Sequence, residues 1–194
     1  MKRLLLPALF AVALSSCIGV QSQLSLGRDG SGTLRISYRV AQFLREGQGL
    51  PLPASREDFQ RAVAAEPGLR LEALSQREDE QDLILEARLG FDRVENLNAL
   101  GDRLGLSYES EEDRRVFRQR LYAGATAGGL SAASLRMLET FFPGYEVSLE
   151  LSSAAPIRSH SLGQLSEDRR VLRYQTTLLE LLRQQDEVTL EVAW

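Results

Sequence analysis

One cysteine and one histidine are all that this 194-residue chain offers for thiol or imidazole chemistry. They lie far apart in sequence, at Cys17 and His160. A serine nucleophile needs a base and an orienting acid beside it, and a metal site needs several ligands at a workable spacing. His160 sits alone in the polar run Arg158-Ser159-His160-Ser161. The carboxylates are numerous but fall in turn-like and strand-like positions. The run Glu111-Glu112-Asp113 lacks the alternation and glycine of a calcium loop. Gly27 to Gly32 is glycine-rich but precedes no helix pattern, and a phosphate loop needs a helix N-terminus there. The residues therefore lead us to expect no enzymatic activity, no cofactor and no metal.

Cys17 has chemistry of another kind. A single cysteine cannot form an internal disulfide, and a free thiol is a liability in an oxidising compartment. Before it stand Met1-Lys2-Arg3, then the nearly all-apolar stretch Leu4 to Leu14, then Ser15-Ser16. A basic start, a short apolar middle and small residues before a cut form a signal segment. The apolar stretch is well short of the ~20 residues a spanning helix needs. Leu14-Ser15-Ser16-Cys17 resembles the lipobox of bacterial lipoproteins, in which the cysteine is diacylated and the chain is cut just before it. Two acyl chains suffice for stable anchoring, since each buried methylene contributes ~0.8 kcal/mol. We therefore divide the chain into a signal over 1–16, an acylated anchor and linker over 17–23, and one domain over 24–194. The expected location is the bacterial cell envelope, facing the periplasm or the cell surface.

The arginines are the remaining candidates. Lys2 is the only lysine, and the chain carries net charge −4, which grows more negative once Lys2 and Arg3 leave with the signal. That balance argues against nucleic-acid binding, which depends on neutralising phosphates. Arg118 and Arg120 share one side of a strand pattern. Arg169 and Arg173 do the same in an echo in which Glu112-Asp113-Arg114-Arg115-Val116-Phe117-Arg118 returns as Glu167-Asp168-Arg169-Arg170-Val171-Leu172-Arg173. These four make a candidate anion-binding face, because arginine forks onto phosphate well. A solvated face paired with glutamates accounts for them more simply.

The elements that must position these residues follow from periodicity. Leu24 and Leu26, then Leu34, Ile36, Tyr38 and Val40, alternate around Arg28-Asp29-Gly30-Ser31-Gly32, which predicts a β-hairpin. Ser55 caps a helix with Phe59, Ala62 and Val63 on one side, and Pro67-Gly68 stops it. Leu69 to Ala73 and Leu83 to Phe91 read as strands around a charged turn. Val94 to Leu104 reads as a short helix ended by Gly105. Leu106–Ser110 and Val116–Tyr122 form a second hairpin. A small-residue loop over 123–129 leads to a third helix bearing Leu135, Leu138, Phe141 and Phe142. Strands follow at Tyr145–Leu151, Val171–Tyr174 and Val188–Trp194, with a short helix over Thr177–Arg183. The pattern predicts an α+β fold: an antiparallel sheet with short helices packed on one face, built from duplicated helix-strand-strand units. Leu138, Phe141, Phe142 and Tyr145, beside a glycine-rich loop, make a candidate mouth for an apolar ligand groove; the alternative is that they plug the core.

In this order of residues the chain resembles the LppM-type domains of mycobacterial and actinobacterial lipoproteins and related spirochaete lipoproteins. The resemblance rests on the lipobox at Cys17, the Leu26-Gly27-Arg28-Asp29-Gly30-Ser31-Gly32 hairpin, and a closing strand Val188–Trp194 that ends in tryptophan. It implies an α+β lipid-binding-like domain outside the cytoplasmic membrane. Relatives often add a C-terminal transmembrane helix, and none follows Val188–Trp194 here, which makes the acyl chains on Cys17 the expected tie to the membrane. The expected function is non-enzymatic binding of a lipid or lipid-like ligand. The alternative is a structural or protein-interaction lipoprotein, an envelope assembly factor or surface antigen, whose core is full.

Overall fold

The computed structural model describes residues 18–41, 56–78, 82–111, 114–124, 136, 139–140 and 144–194. The signal, Cys17, Ser55 and the 123–129 loop beyond Gly124 lie outside the described residues. So does the third predicted helix, except for Arg136, Glu139 and Thr140, which are helical. The fold is α+β.

The predicted hairpin forms as β1 (Ile18–Leu26) and β2 (Gly32–Ala41), antiparallel from Ile18↔Val40 to Leu26↔Gly32. Its turn is local chemistry: Asp29 Oδ1 accepts from the Ser31 amide (3.1 Å) and hydroxyl (2.7 Å), and Gly30 supplies the left-handed backbone, φ 83°. Helix α1 (Arg56–Ala64) buries Phe59 and Ala62. Strands β3 (Leu69–Glu78) and β4 (Asp82–Phe91) pair antiparallel, and β4 also pairs with β2. Alternation along β4 is nearly complete, with Leu83, Leu85, Ala87 and Leu89 buried and Glu86 and Arg88 exposed.

The segment predicted as one helix over 94–104 splits into a 3-10 helix (Val94–Leu100) and a single turn, α2 (Gly101–Leu104). Gly105 closes it at φ 66°, and a Cβ there would stand 2.8 Å from the Arg120 carbonyl, so glycine is required. Next come β5 (Leu106–Glu111) and β6 (Arg114–Tyr122), then β7 (Glu146–Ser153). Two short strands follow, β8 (Ser159–His160) and β9 (Gln164–Leu165). The chain continues through β10 (Val171–Thr177), α3 (Leu178–Leu182) and β11 (Val188–Ala193). Thr177 caps α3 with a reciprocal capping box, its hydroxyl accepting from the Glu180 amide.

The expectation of one antiparallel sheet is corrected in two respects. There are two sheets among the described residues, a seven-stranded one ordered β3-β4-β2-β1-β7-β10-β9 and a four-stranded one ordered β5-β6-β11-β8. The larger is mixed, because β1 lies parallel to β7, with Val20↔Val147 through Leu26↔Ser153. Alternation reports which face of a strand is buried, not which strand lies beside it. A parallel pair also has no connecting turn to announce it. On the strands, Leu83, Leu85, Val147, Leu149 and Val192 are buried, as is Tyr145 just before β7, and Val188 is half-buried. Val188 and Val192 belong to the smaller sheet. One core cluster joins Leu34, Leu85, Leu149 and Leu151 of the large sheet to Tyr108, Phe117, Leu190 and Val192 of the small one.

The expected linker over 18–23 is instead the first part of β1, an interior strand paired on both sides. Ser22 breaks its apolar alternation, which is why the strand reads as starting at Leu24. The two arginine echoes lead into strands in different settings. β6 lies between β5 and β11, whereas β10 lies between β7 and β9. No helix among the described residues is long and apolar enough to cross a membrane.

Candidate functional site

The four arginines do not form one face. Arg118 projects from β6 and ion-pairs with Glu109 on β5 (2.7 Å) and Glu191 on β11 (2.9 Å). Hydrogen bonds to those two carboxylates hold its guanidinium pKa above the ordinary value. Arg120 is exposed on the same strand. Arg169 is not in a strand: it occupies the left-handed region at φ 57° in the turn before β10. Its Nε donates to the Ile157 carbonyl (2.9 Å) and its guanidinium Nη2 to the Arg158 carbonyl (2.7 Å), so it ties two loops together. Arg173 lies on the large sheet, paired with Glu150 across β7 at 2.7 Å. The anion-binding expectation thus meets a sheet arrangement that separates the pairs and matches Arg118 and Arg173 with carboxylates.

Of the candidate groove residues, Leu138, Phe141 and Phe142 lie outside the described residues, and Tyr145 is buried just before β7. Its hydroxyl donates to Asp82 at the start of β4, and the Arg39 guanidinium lies 5.1 Å from the centre of its ring. Arg39 Nε also donates to Asp82. Asp82 is 1% exposed, and a buried carboxylate is tolerable only with such partners. Tyr145 therefore joins three strands of the large sheet through polar contacts. A polar residue opening an apolar strand, Asp82 before Leu83, was the sequence signal for this cluster, but nothing local could name its partners.

His160 is exposed on β8 and makes its ring contact with the Leu162 carbonyl (3.2 Å). No group of three His, Cys, Asp or Glu side chains converges among the described residues.

Two features escaped the sequence. The first is an open trough of about 640 Å³ across β1, β7 and β10, lined by Gln21, Gln23, Ser148, Glu150, Arg173 and Gln175. Gly163 and Gln164 also line it. Gly163 has φ 93°, and a Cβ there would lie 2.6 Å from the Arg173 carbonyl, which fixes how closely the two strands approach. The trough's charges are closed on each other through Arg173–Glu150, which leaves amides and hydroxyls for a ligand.

The second lies inside. Ser22 Oγ and Tyr38 OH are buried with no hydrogen-bond partner among the described residues. Ser22 opposes Ile36 on β2, and Tyr38 is two residues further on, so the two residues are diagonal neighbours on the core-facing side of the hairpin. Burial, with a smaller contribution from Asp58, raises the Tyr38 pKa far above the ordinary phenol value.

No family model matches the chain, and no curated protein matches it. Among solved structures it is similar to the folded domain of the Mycobacterium tuberculosis protein LppM, determined by NMR, with TM-score 0.50 and 14% identity. The likeness covers 92% of this chain and 90% of that one. At that identity it concerns the fold, and the relationship is a distant structural one that runs through nearly the whole of both chains.

Proposed function

We propose that this chain is a bacterial envelope lipoprotein, held to the membrane by acyl chains on Cys17, whose body binds a lipid or lipid-like ligand without catalysis. The lipobox and the LppM-like fold support the location. The observation that carries the ligand reading is the pair of buried hydroxyls, Ser22 Oγ and Tyr38 OH, that have no hydrogen-bond partner among the described residues. Buried polar groups in folded proteins are paired with few exceptions, and each one left unpaired costs ~1–3 kcal/mol. Two of them on one face of the β1–β2 hairpin would suit the ester or head-group oxygens of an amphiphile whose apolar chains pack among the core side chains.

The alternative, an assembly or interaction lipoprotein with a filled core, draws support from how closely Leu34, Val40, Leu85, Leu151 and Val192 are enclosed. Titration of the mature chain with a fluorescent phospholipid analogue separates the two. The ligand reading expects saturable binding that Tyr38→Phe weakens while the melting temperature of the lipid-free chain rises, since the unpaired hydroxyl is gone. Absence of saturation favours the filled core.

A further inference from the structure

The strand β1 begins at Ile18, the residue after the acylated cysteine. This inference rests on acylation of Cys17 and concerns the orientation that acylation imposes. Consecutive Cα atoms are ~3.8 Å apart, so no linker separates the lipid from the body. Ile18 and Gly19 are held in a ladder to β2, and from Val20 onward the strand is held on both sides, to β2 and to β7. A flexible linker would let the domain tumble above the bilayer; an interior strand attached directly to the anchor does not.

We propose that the end of the large sheet containing the start of β1 rests on the lipid head groups, with the opposite end pointing away. The register names what lies at that end. Gly19 opposes Arg39, Arg39 opposes Ile84, and Ile84 opposes Arg77. On the other side Gly19 adjoins Glu146, which opposes Thr177. With strands ~4.8 Å apart, this row spans roughly 24 Å.

Among the described residues, the polar members of this row suit the head-group layer. Arg39 presents a guanidinium that is 45% exposed while anchored to Asp82, Glu146 accepts from Gln175 at 2.9 Å, and Thr177 is exposed. At the far end of β1, the Gly27–Ser31 turn stands roughly 25–30 Å above the bilayer, from a rise of ~3.3 Å per residue. The polar trough, which spans Gln21 to Gln23 on β1, then lies at mid-height, roughly 10–17 Å above the head groups by the same rise.

The test uses the acylated protein in nanodiscs of phosphatidylethanolamine and phosphatidylglycerol carrying a gadolinium-chelate lipid. Intact mass first establishes the acyl chains; their absence defeats the lipoprotein reading itself. Backbone amide relaxation is then measured. Enhancement at Gly19, Arg39, Ile84, Glu146 and Thr177 is expected to exceed that at Gly27–Ser31 by about tenfold or more, given a strand rise of ~3.3 Å per residue. Inserting a flexible Gly-Ser linker between Cys17 and Ile18 is expected to flatten this gradient. An acylated protein with uniform enhancement, a reversed gradient, or a gradient that survives the linker overturns the proposal.

Discussion

Leu149 and Glu150 are neighbours in β7 that the register sends to opposite faces, and replacing each by alanine separates that register from its alternatives. Leu149 is 3% exposed and lies between Ser22 on β1 and Tyr174 on β10. Both neighbours are fixed by backbone ladders, so the cavity left by Leu149→Ala has little means of collapsing. Large-to-small changes of this kind cost ~2–5 kcal/mol, and we take about 3. For a body of this size each kcal/mol lowers the melting temperature by about 2–4 °C, which gives a fall of about 9 °C. Glu150 is 40% exposed at its side chain and loses only the Arg173 pair. Such pairs contribute ~0–1 kcal/mol, or up to about 3 °C here. Thermal unfolding followed by circular dichroism on the two variants is the assay. Equal losses, or a fall of under about 3 °C for Leu149→Ala, would refute the strand register on which the sheet assignment stands.

Cys17→Ala is expected to abolish fatty-acid probe labelling and release the protein from the membrane fraction; undiminished labelling contradicts the anchor. Tyr38 has a folded-state pKa raised by burial, so its neutral form stabilises the fold fully below the unfolded pKa of ~10, and that contribution is lost as pH rises above it. Tyr38→Phe should therefore gain on the wild type by roughly 1.4 kcal/mol per pH unit above about 10 in urea melts, and a pH-independent difference contradicts the buried, orphaned phenol. Thr177→Ala removes the cap of α3 and is expected to cost about 1 kcal/mol in the same melts, with no loss if the capping box does not form.

The hairpins were legible because their evidence is local. Leu34, Ile36, Tyr38 and Val40 alternate, and Asp29-Gly30-Ser31 closes the turn by contacts within a few residues. The strands of β3–β4 and β5–β6 were legible from their alternation in the same way. What stayed hidden depends on partners far along the chain. Ser22 interrupts the pattern of β1, so the strand's first residues passed for a linker although both neighbours hold them. The parallel β1–β7 pair joins Val20 to Val147 with no turn between them. The arginine echo predicted one face because it reads as one strand pattern twice. In the fold the 169 position is a left-handed turn residue, and the 118 position is clamped between Glu109 and Glu191 from two neighbouring strands. Asp82 was passed over in the sequence because its burial and its partners Tyr145 and Arg39 appear only in three dimensions.

The central claim is that the body holds a lipid, and native mass spectrometry of the mature Cys17→Ala chain purified from a bacterial host tests it most directly. A population heavier than the bare chain by one lipid mass is expected, displaced by a fluorescent phospholipid analogue and reduced in Tyr38→Phe. A single species at the bare mass, from protein that unfolds cooperatively and binds no lipid probe, would contradict it and leave the interaction lipoprotein with a filled core.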